Sequence, residues 1–319
     1  MVIATPDVSS LPAASSLASE NSSNTTKRAI VFMVASLAFF ALMDALVKDL
    51  GTRYSTMQLV FFRSLFAFVP LGYLIYRTGW ADAIKINNYT GHALRILVGV
   101  AAMFCFFYAF AHMPLADVVA ISFAAPVFVV ALSVPLLGEK VGPKRWTAVL
   151  IGFAGVLIMV NPGAGILDPV AVIALIGTVF FALAMIALRK LGRTESGASV
   201  VFTFTLACTA LSGLALPFVW ITPDLQDLAL LIAIGLLGGI GQIFMTFAFK
   251  HGDVAVVAPF EYTAILWATL LGFVFWGEIP GLNIWVGVAV VMLSGLFILF
   301  REANLKLPRG HARRLQTKR

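Results

Sequence analysis

Four ionisable side chains stand inside long apolar runs of this 319-residue chain: Asp44, Arg63, Arg95 and Glu261. A charge at the centre of a membrane-spanning helix costs about 2.5–3.5 kcal/mol on insertion scales, so such residues are expected to face a cavity, a partner or a substrate. Asp44 and Arg63 lie about six and seven residues from the same end of the first and second runs. At ~1.5 Å per residue both sit ~9–11 Å below one boundary. Two chemistries fit: a structural ion pair between neighbouring helices, or a shared contact to substrate. Arg95 is about a turn and a half inside the third run. It either snorkels to the headgroups or anchors a carboxylate or phosphate group of the substrate with its fork of donors.

Glu261 and Gln242 fall at similar depth in the ninth and eighth runs. A hydrogen bond between them is one reading; a carboxylate that takes up a proton or a cationic substrate is the other. Phe123 and Tyr262, next to Ser122 and Glu261, are expected to offer aromatic walls to a planar ring or a cation. Pro126, Pro259 and Gly239 are candidates for gating or helix breaks, because proline frees a backbone carbonyl and glycine lets helices approach. The expected substrate-binding set is therefore Asp44, Arg63, Arg95, Ser122, Phe123, Gln242, Glu261 and Tyr262.

Other chemistry is not expected. The chain has no Gly-x-Ser-x-Gly, His-Glu-x-x-His or phosphate-loop pattern, so an enzyme or an ATP-driven pump is disfavoured. Cys105 and Cys208 are isolated in apolar runs, and His112 and His251 lack a second ligand at metal spacing, so neither metal nor cofactor is expected. A channel would favour a ring of like polar groups in a symmetric oligomer.

The elements that position these residues follow from composition. The chain is 61% hydrophobic and 12% charged, against about 45–50% and about 25% in soluble domains. That excludes an ordinary globular protein. Apolar runs fall at about 29–50, 56–77, 90–111, 115–137, 145–160, 168–190, 197–220, 227–250, 254–277 and 283–300. Each is near the ~20 residues needed to cross a bilayer. Short linkers make neighbouring helices antiparallel. Residues 1–28 read as a flexible tail and 301–319 as a basic one. Trp80, Trp146, Trp220, Trp276 and Trp285 fall near run ends, where interfacial anchoring is expected.

Of the 22 Lys and Arg, Lys48 and Arg53 fall in loops on one side and Arg63 and Arg95 inside runs. The others fall in the alternate loops and the tails, so the positive-inside rule puts both termini in the cytosol of a multi-pass inner-membrane protein. The Asn-x-Ser/Thr triplets at Asn21, Asn24 and Asn88 then lie on the cytosolic side and need no glycosylation. The +7 net charge is a topology signal, with no nucleic acid required as partner.

The runs also repeat. Ser36-Leu-Ala-Phe-Phe-Ala-Leu-Met aligns with Gly177-Thr-Val-Phe-Phe-Ala-Leu-Ala. In the fourth and ninth runs His112 falls on His251, Gly138-Glu139 on Gly277-Glu278 and Trp146 on Trp285. Five helices per half is odd, so the second half is expected upside down relative to the first. The loop after Gly138 is basic while its mate from Gly277 is not, which agrees with the inversion. The expected fold is an all-α membrane protein with ten transmembrane helices in two inverted five-helix repeats, 29–160 and 168–300.

The Gly-Glu pair closing the fourth and ninth helices, the Trp opening the next, and the Pro126 helix resemble the EamA-domain family of the drug/metabolite transporter superfamily. Met43-Asp44-Ala-Leu-Val-Lys48 and Pro259-Phe-Glu261-Tyr262 are similar to a branch with bacterial S-adenosylmethionine and riboflavin uptake carriers. The resemblance implies a secondary carrier of a small metabolite such as these or an amino acid, or an exporter of the same fold, coupled to protons or a counter-substrate and working as a monomer or homodimer. It also implies a central cavity lined by helices one to four and six to nine. The position matching Pro126 is Ile265, with Pro259 nearby, so the two halves are expected to break their helices at different depths. Glu139 and Glu278 are expected at turns or as gate latches.

Overall fold

The computed structural model describes residues 12–138, 142–160, 168–192, 194–252 and 254–306, and among them all regular structure is helical. The helices are α1 (Pro12–Leu50), α2 (Thr56–Thr78), α3 (Trp80–Ile84), α4 (Tyr89–His112), α5 (Leu115–Ser122), α6 (Ala125–Leu137) and α7 (Pro143–Val160). The second half holds α8 (Pro169–Leu191), α9 (Gly197–Val219), α10 (Leu225–His251), α11 (Val254–Val257), a 3₁₀ turn (Ala258–Thr263), α12 (Ala264–Trp276) and α13 (Leu282–Lys306). Eight spans are long and apolar enough to cross a membrane, with α5–α6 counted as one and the 3₁₀ turn joined to α12. Shorter apolar helices run from Trp146 to Val160 and from Leu282 to Ile298.

Starts and stops are written locally. Ser55, Asn88, Asp168, Ser196 and Asp224 each cap the helix that follows, accepting a backbone N–H two or three residues on at 2.7–3.3 Å. Each cap is worth about 1 kcal/mol. α6 and α12 are both 13 residues long. They end at Gly138 and Gly277 with φ of +65° and +67°, a left-handed stop that glycine adopts without a Cβ penalty.

The two broken helices resume at repeat-equivalent residues, Ala125 and Ala264. The break opens earlier in the second half, where α11 ends at Val257, the mate of Val118, while α5 runs on to Ser122; the depths differ as expected. The causes differ between the halves. In α5 the Ser122 hydroxyl donates to the Val119 carbonyl at 2.7 Å, and Pro126 has no N–H to give the Ser122 carbonyl. In the second half Pro259 starts the 3₁₀ turn, and the Thr263 hydroxyl donates to the Phe260 carbonyl at 2.7 Å.

The main packings join helices from opposite halves: α1 with α10, α4 with α8, α7 with α13, α2 with α9 and α10, and α5 with α12. The further neighbours of α7 and α13 include α5, α6 and α11. Large apolar side chains such as Val69, Leu97, Leu214 and Phe218 are 63–89% exposed, a liability in water and the normal condition against lipid tails. Trp80, Trp146, Trp220, Trp276 and Trp285 are all exposed, as interfacial anchors are.

Two expectations need redrawing at the termini. α1 begins at Pro12, inside the segment read as a flexible tail, and α13 continues to Lys306. Glu139, the loop to Val141, and the basic residues after Lys306 lie outside the described residues.

Candidate functional site

Arg63 on α2 and Arg95 on α4 are both half-buried, and α2, α4 and α9 pack on one another. α2 and α10 lie so close that a Cβ on Gly235 would stand 2.9 and 3.0 Å from the backbone oxygens of Phe62 and Arg63. This close approach brings Arg63 to α10, its Nε 3.5 Å from where a Cβ of Gly238 would be. That Nε is buried without a hydrogen-bond partner. Arg95 sits in the second turn of α4, and its guanidinium bends over Gly99, one turn further from the nearer helix end. Its carbon lies 4.3 Å from the ring centroid of Phe204 on α9. Nε and Nη1 are buried and have no partner.

Snorkelling is therefore not what Arg95 does. The charge points into the protein, held over an aromatic face, which compensates a desolvated cation by about 2 kcal/mol. Cys208, one turn beyond Phe204 and fully buried, feels both arginines, and Arg95 feels Arg63.

Asp44 feels Arg63 through space but makes no direct ion pair with it. The salt bridges among the described residues are elsewhere. Arg63 and Arg95 thus carry unpartnered nitrogens on packed helices, with no ion pair closing on either among the described residues. Such a set of preorganised, unsatisfied donors can recognise an anionic group.

The remaining expected residues form a second group. Phe123 and Tyr262 meet edge to face, ring centroids 5.0 Å apart at 78°, so each is the other's aromatic partner. Tyr262 is buried with its hydroxyl unpartnered. A Cβ on Gly295 of α13 would run into that hydroxyl. The Ser122 proton is spent on Val119. Glu261 is half-buried on the 3₁₀ turn, and no hydrogen bond joins it to half-buried Gln242. Gly239 packs against Pro70 and Ala67 of α2.

Contacts at the helix ends escaped the sequence reading, since spacing along the chain gives no sign of them. At the Lys48 end, Lys48 Nζ lies 2.6 Å from Glu278 Oε1 and donates to the Met113 carbonyl at 2.7 Å. Glu278 Oε2 accepts the first N–H of α5, Leu115, at 3.2 Å. A cleft of about 400 Å³ opens there, lined by Lys48, Asp49, Thr52, His112, Trp276 and Glu278. Arg53 and Tyr54 both bind Asp227, Tyr54 at 2.7 Å. Burial and that carboxylate push the Tyr54 phenol up to about 12. Gln58 binds both the N–H and the carbonyl of Ile221.

At the opposite end Glu195 accepts the N–H groups of Asn87 and Asn88 at 2.8 and 2.6 Å, with His92 at 3.7 Å. Burial alone would raise its pKa; the two N–H donors hold it below the ordinary carboxylate value. Glu278 and Glu195 thus do the same job at opposite ends. Each is a second-half carboxylate capping the start of a first-half helix.

A solved crystal structure matches this chain with a TM-score of 0.58 over 90% of its length and 99% of that chain, at 20% identity. This is a likeness of fold alone. A pseudopaline exporter of Pseudomonas aeruginosa is 32% identical over 272 residues, covering 83% of this chain and 94% of the exporter. An S-adenosylmethionine uptake transporter of Rickettsia prowazekii is 28% identical over 274 residues, covering 86% of this chain and 92% of the transporter. The model of the EamA-like transporter family matches twice, at residues 27–161 and 169–300. With its apolar helices and that double match, the chain is a multi-pass membrane protein that belongs to the EamA-like transporter family.

Proposed function

We propose that this protein is a secondary carrier that moves a small organic metabolite by alternating access between two inverted five-helix halves. The observation that carries the reading is the pattern of helix pairs. Exchanging the halves turns the α1–α10 pair into α8–α4 and returns α2–α9 and α7–α13 to themselves, and all of these pairs occur. A pseudo-twofold of this kind gives two states of similar energy, open to opposite sides.

In this reading ten helices cross the bilayer with both termini cytosolic, supported by the distribution of Lys and Arg. The clasps at Glu278 and Glu195 release alternately. The broken α5–α6 and α11–α12 spans, with Pro126, Pro259 and Gly239, supply the mobile element. Asp44, Arg63 and Arg95 hold the substrate, with Ser122, Phe123, Gln242, Glu261 and Tyr262 at the hinge beside it. Relatives named for S-adenosylmethionine uptake and for pseudopaline export support a metabolite as cargo and represent both directions of transport. Identity to the exporter favours export as the second reading.

Purified protein in liposomes loaded with S-adenosylmethionine, riboflavin or an amino acid pool tests this. Saturable counterflow of one labelled metabolite is expected; flux that rises linearly with concentration and shows no exchange would remove the carrier mechanism.

A further inference from the structure

We infer that Arg63 and Arg95 together form one anion-recognition site, and that the molecule it takes carries two negative charges, as two carboxylates or one phosphate. The inference rests on the carrier reading and adds the chemical class of the cargo. Three buried guanidinium nitrogens, Arg63 Nε with Arg95 Nε and Nη1, have no acceptor. A buried donor left unmet costs ~1–3 kcal/mol, more when it is charged. The fold tolerates that at both arginines of one neighbourhood, where a structural role would satisfy them.

Among the described residues no carboxylate forms an ion pair with either arginine. Asp44 is the carboxylate that acts on Arg63, and one carboxylate cannot neutralise two cations. The positive excess lies inside the membrane-spanning region, where the low dielectric makes an unpaired charge expensive and an arriving anion correspondingly well held. The Phe204 face fixes the plane of the Arg95 guanidinium, leaving its edge for bidentate acceptors. Asp44 beside the pair sets an upper limit on the site's net charge. It also offers an acceptor to an ammonium or hydroxyl on the same cargo.

The test uses the full-length protein in detergent micelles, read by thermal shift and isothermal titration against succinate, glucose 6-phosphate, the neutral diamide succinamide and the cation choline. Saturable stabilisation by succinate or the sugar phosphate, absent with succinamide and choline, is expected. Which of the two binds more tightly separates a carboxylate from a phosphate ligand. Arg63→Gln and Arg95→Gln should each weaken anion binding at least tenfold, with Arg63→Lys retaining part of it. The inference is overturned if the wild-type protein binds succinamide or choline as well as the anions, or binds none of the four. It is also overturned if a folded Arg→Gln variant binds anions as the parent does. Should both Gln variants fail to fold, the wild-type comparison of succinate with succinamide decides. Binding of succinate or the sugar phosphate with no counterflow of that same anion in liposomes would remove the carrier reading and leave this site standing.

Discussion

Lys48 and Glu278 meet at 2.6 Å although 230 residues separate them, and the same carboxylate reaches the first N–H of α5. One ion pair thereby fastens α1 to the end of α12 and to the start of α5. Its side chains are only 11% and 20% exposed, so it is shielded more than an ordinary surface pair.

Breaking this clasp is expected to loosen one end of the protein. Glu278→Gln should lower stability by about 1–3 kcal/mol, since Lys48 then keeps the Met113 carbonyl and the Trp276 ring but no counter-charge. Thermal unfolding in detergent would read the loss. A Lys48→Cys/Glu278→Cys pair that forms a disulfide should lock transport until reduced; full activity of the cross-linked protein would rule out gating at this end.

Asp44 and Arg63 act on each other without touching. Neutralising either should cut transport by tenfold or more, and the charge-swapped double variant should stay inactive, because geometry toward substrate rather than mutual pairing is what they supply. Recovery of full activity in the swap, measured by uptake into proteoliposomes, would reduce the two to a structural pair.

Gly99 leaves room for the Arg95 guanidinium. In Gly99→Val the Cβ and its methyls displace that flexible end and press on Phe204. Transport should fall severalfold while the protein still folds, and a normal Michaelis constant in this variant would count against a role for Arg95 in binding.

Glu195 is held below its ordinary pKa by the Asn87 and Asn88 N–H groups. The folded state therefore binds its proton less readily than the unfolded chain does. The clasp's contribution is present above the ordinary carboxylate range and is lost as pH falls through the depressed value. Melting curves between about pH 3 and 6 should show Glu195→Gln with a flatter acid limb than the parent; an identical limb would dismiss the clasp as a source of acid sensitivity.

Much of the architecture was legible in the residues. The apolar runs and the glycines at 138 and 277 act through neighbours a few positions away, so their effect survives reading along a line. The isolation of Asp44, Arg63, Arg95 and Glu261 in apolar surroundings was visible for the same reason. The unequal starts of the two helix breaks were legible too, because Pro126 and Pro259 stand at non-equivalent positions. What only the structure shows is that the second-half break, extended by a 3₁₀ turn to Thr263, ends at the same repeat position as the first.

The sequence by itself determined which segments can cross a bilayer and which charges must be accommodated there, because hydrophobic burial and helix capping are local. Only the tertiary structure decided what those charges face. Arg95 turns inward because Phe204 and Gly99 make room for it; Asp44 stops short of Arg63; and Lys48 finds Glu278 rather than lipid headgroups. These are long-range contacts between halves of the chain, and their energy depends on how helices pack, which no spacing along one strand of sequence encodes.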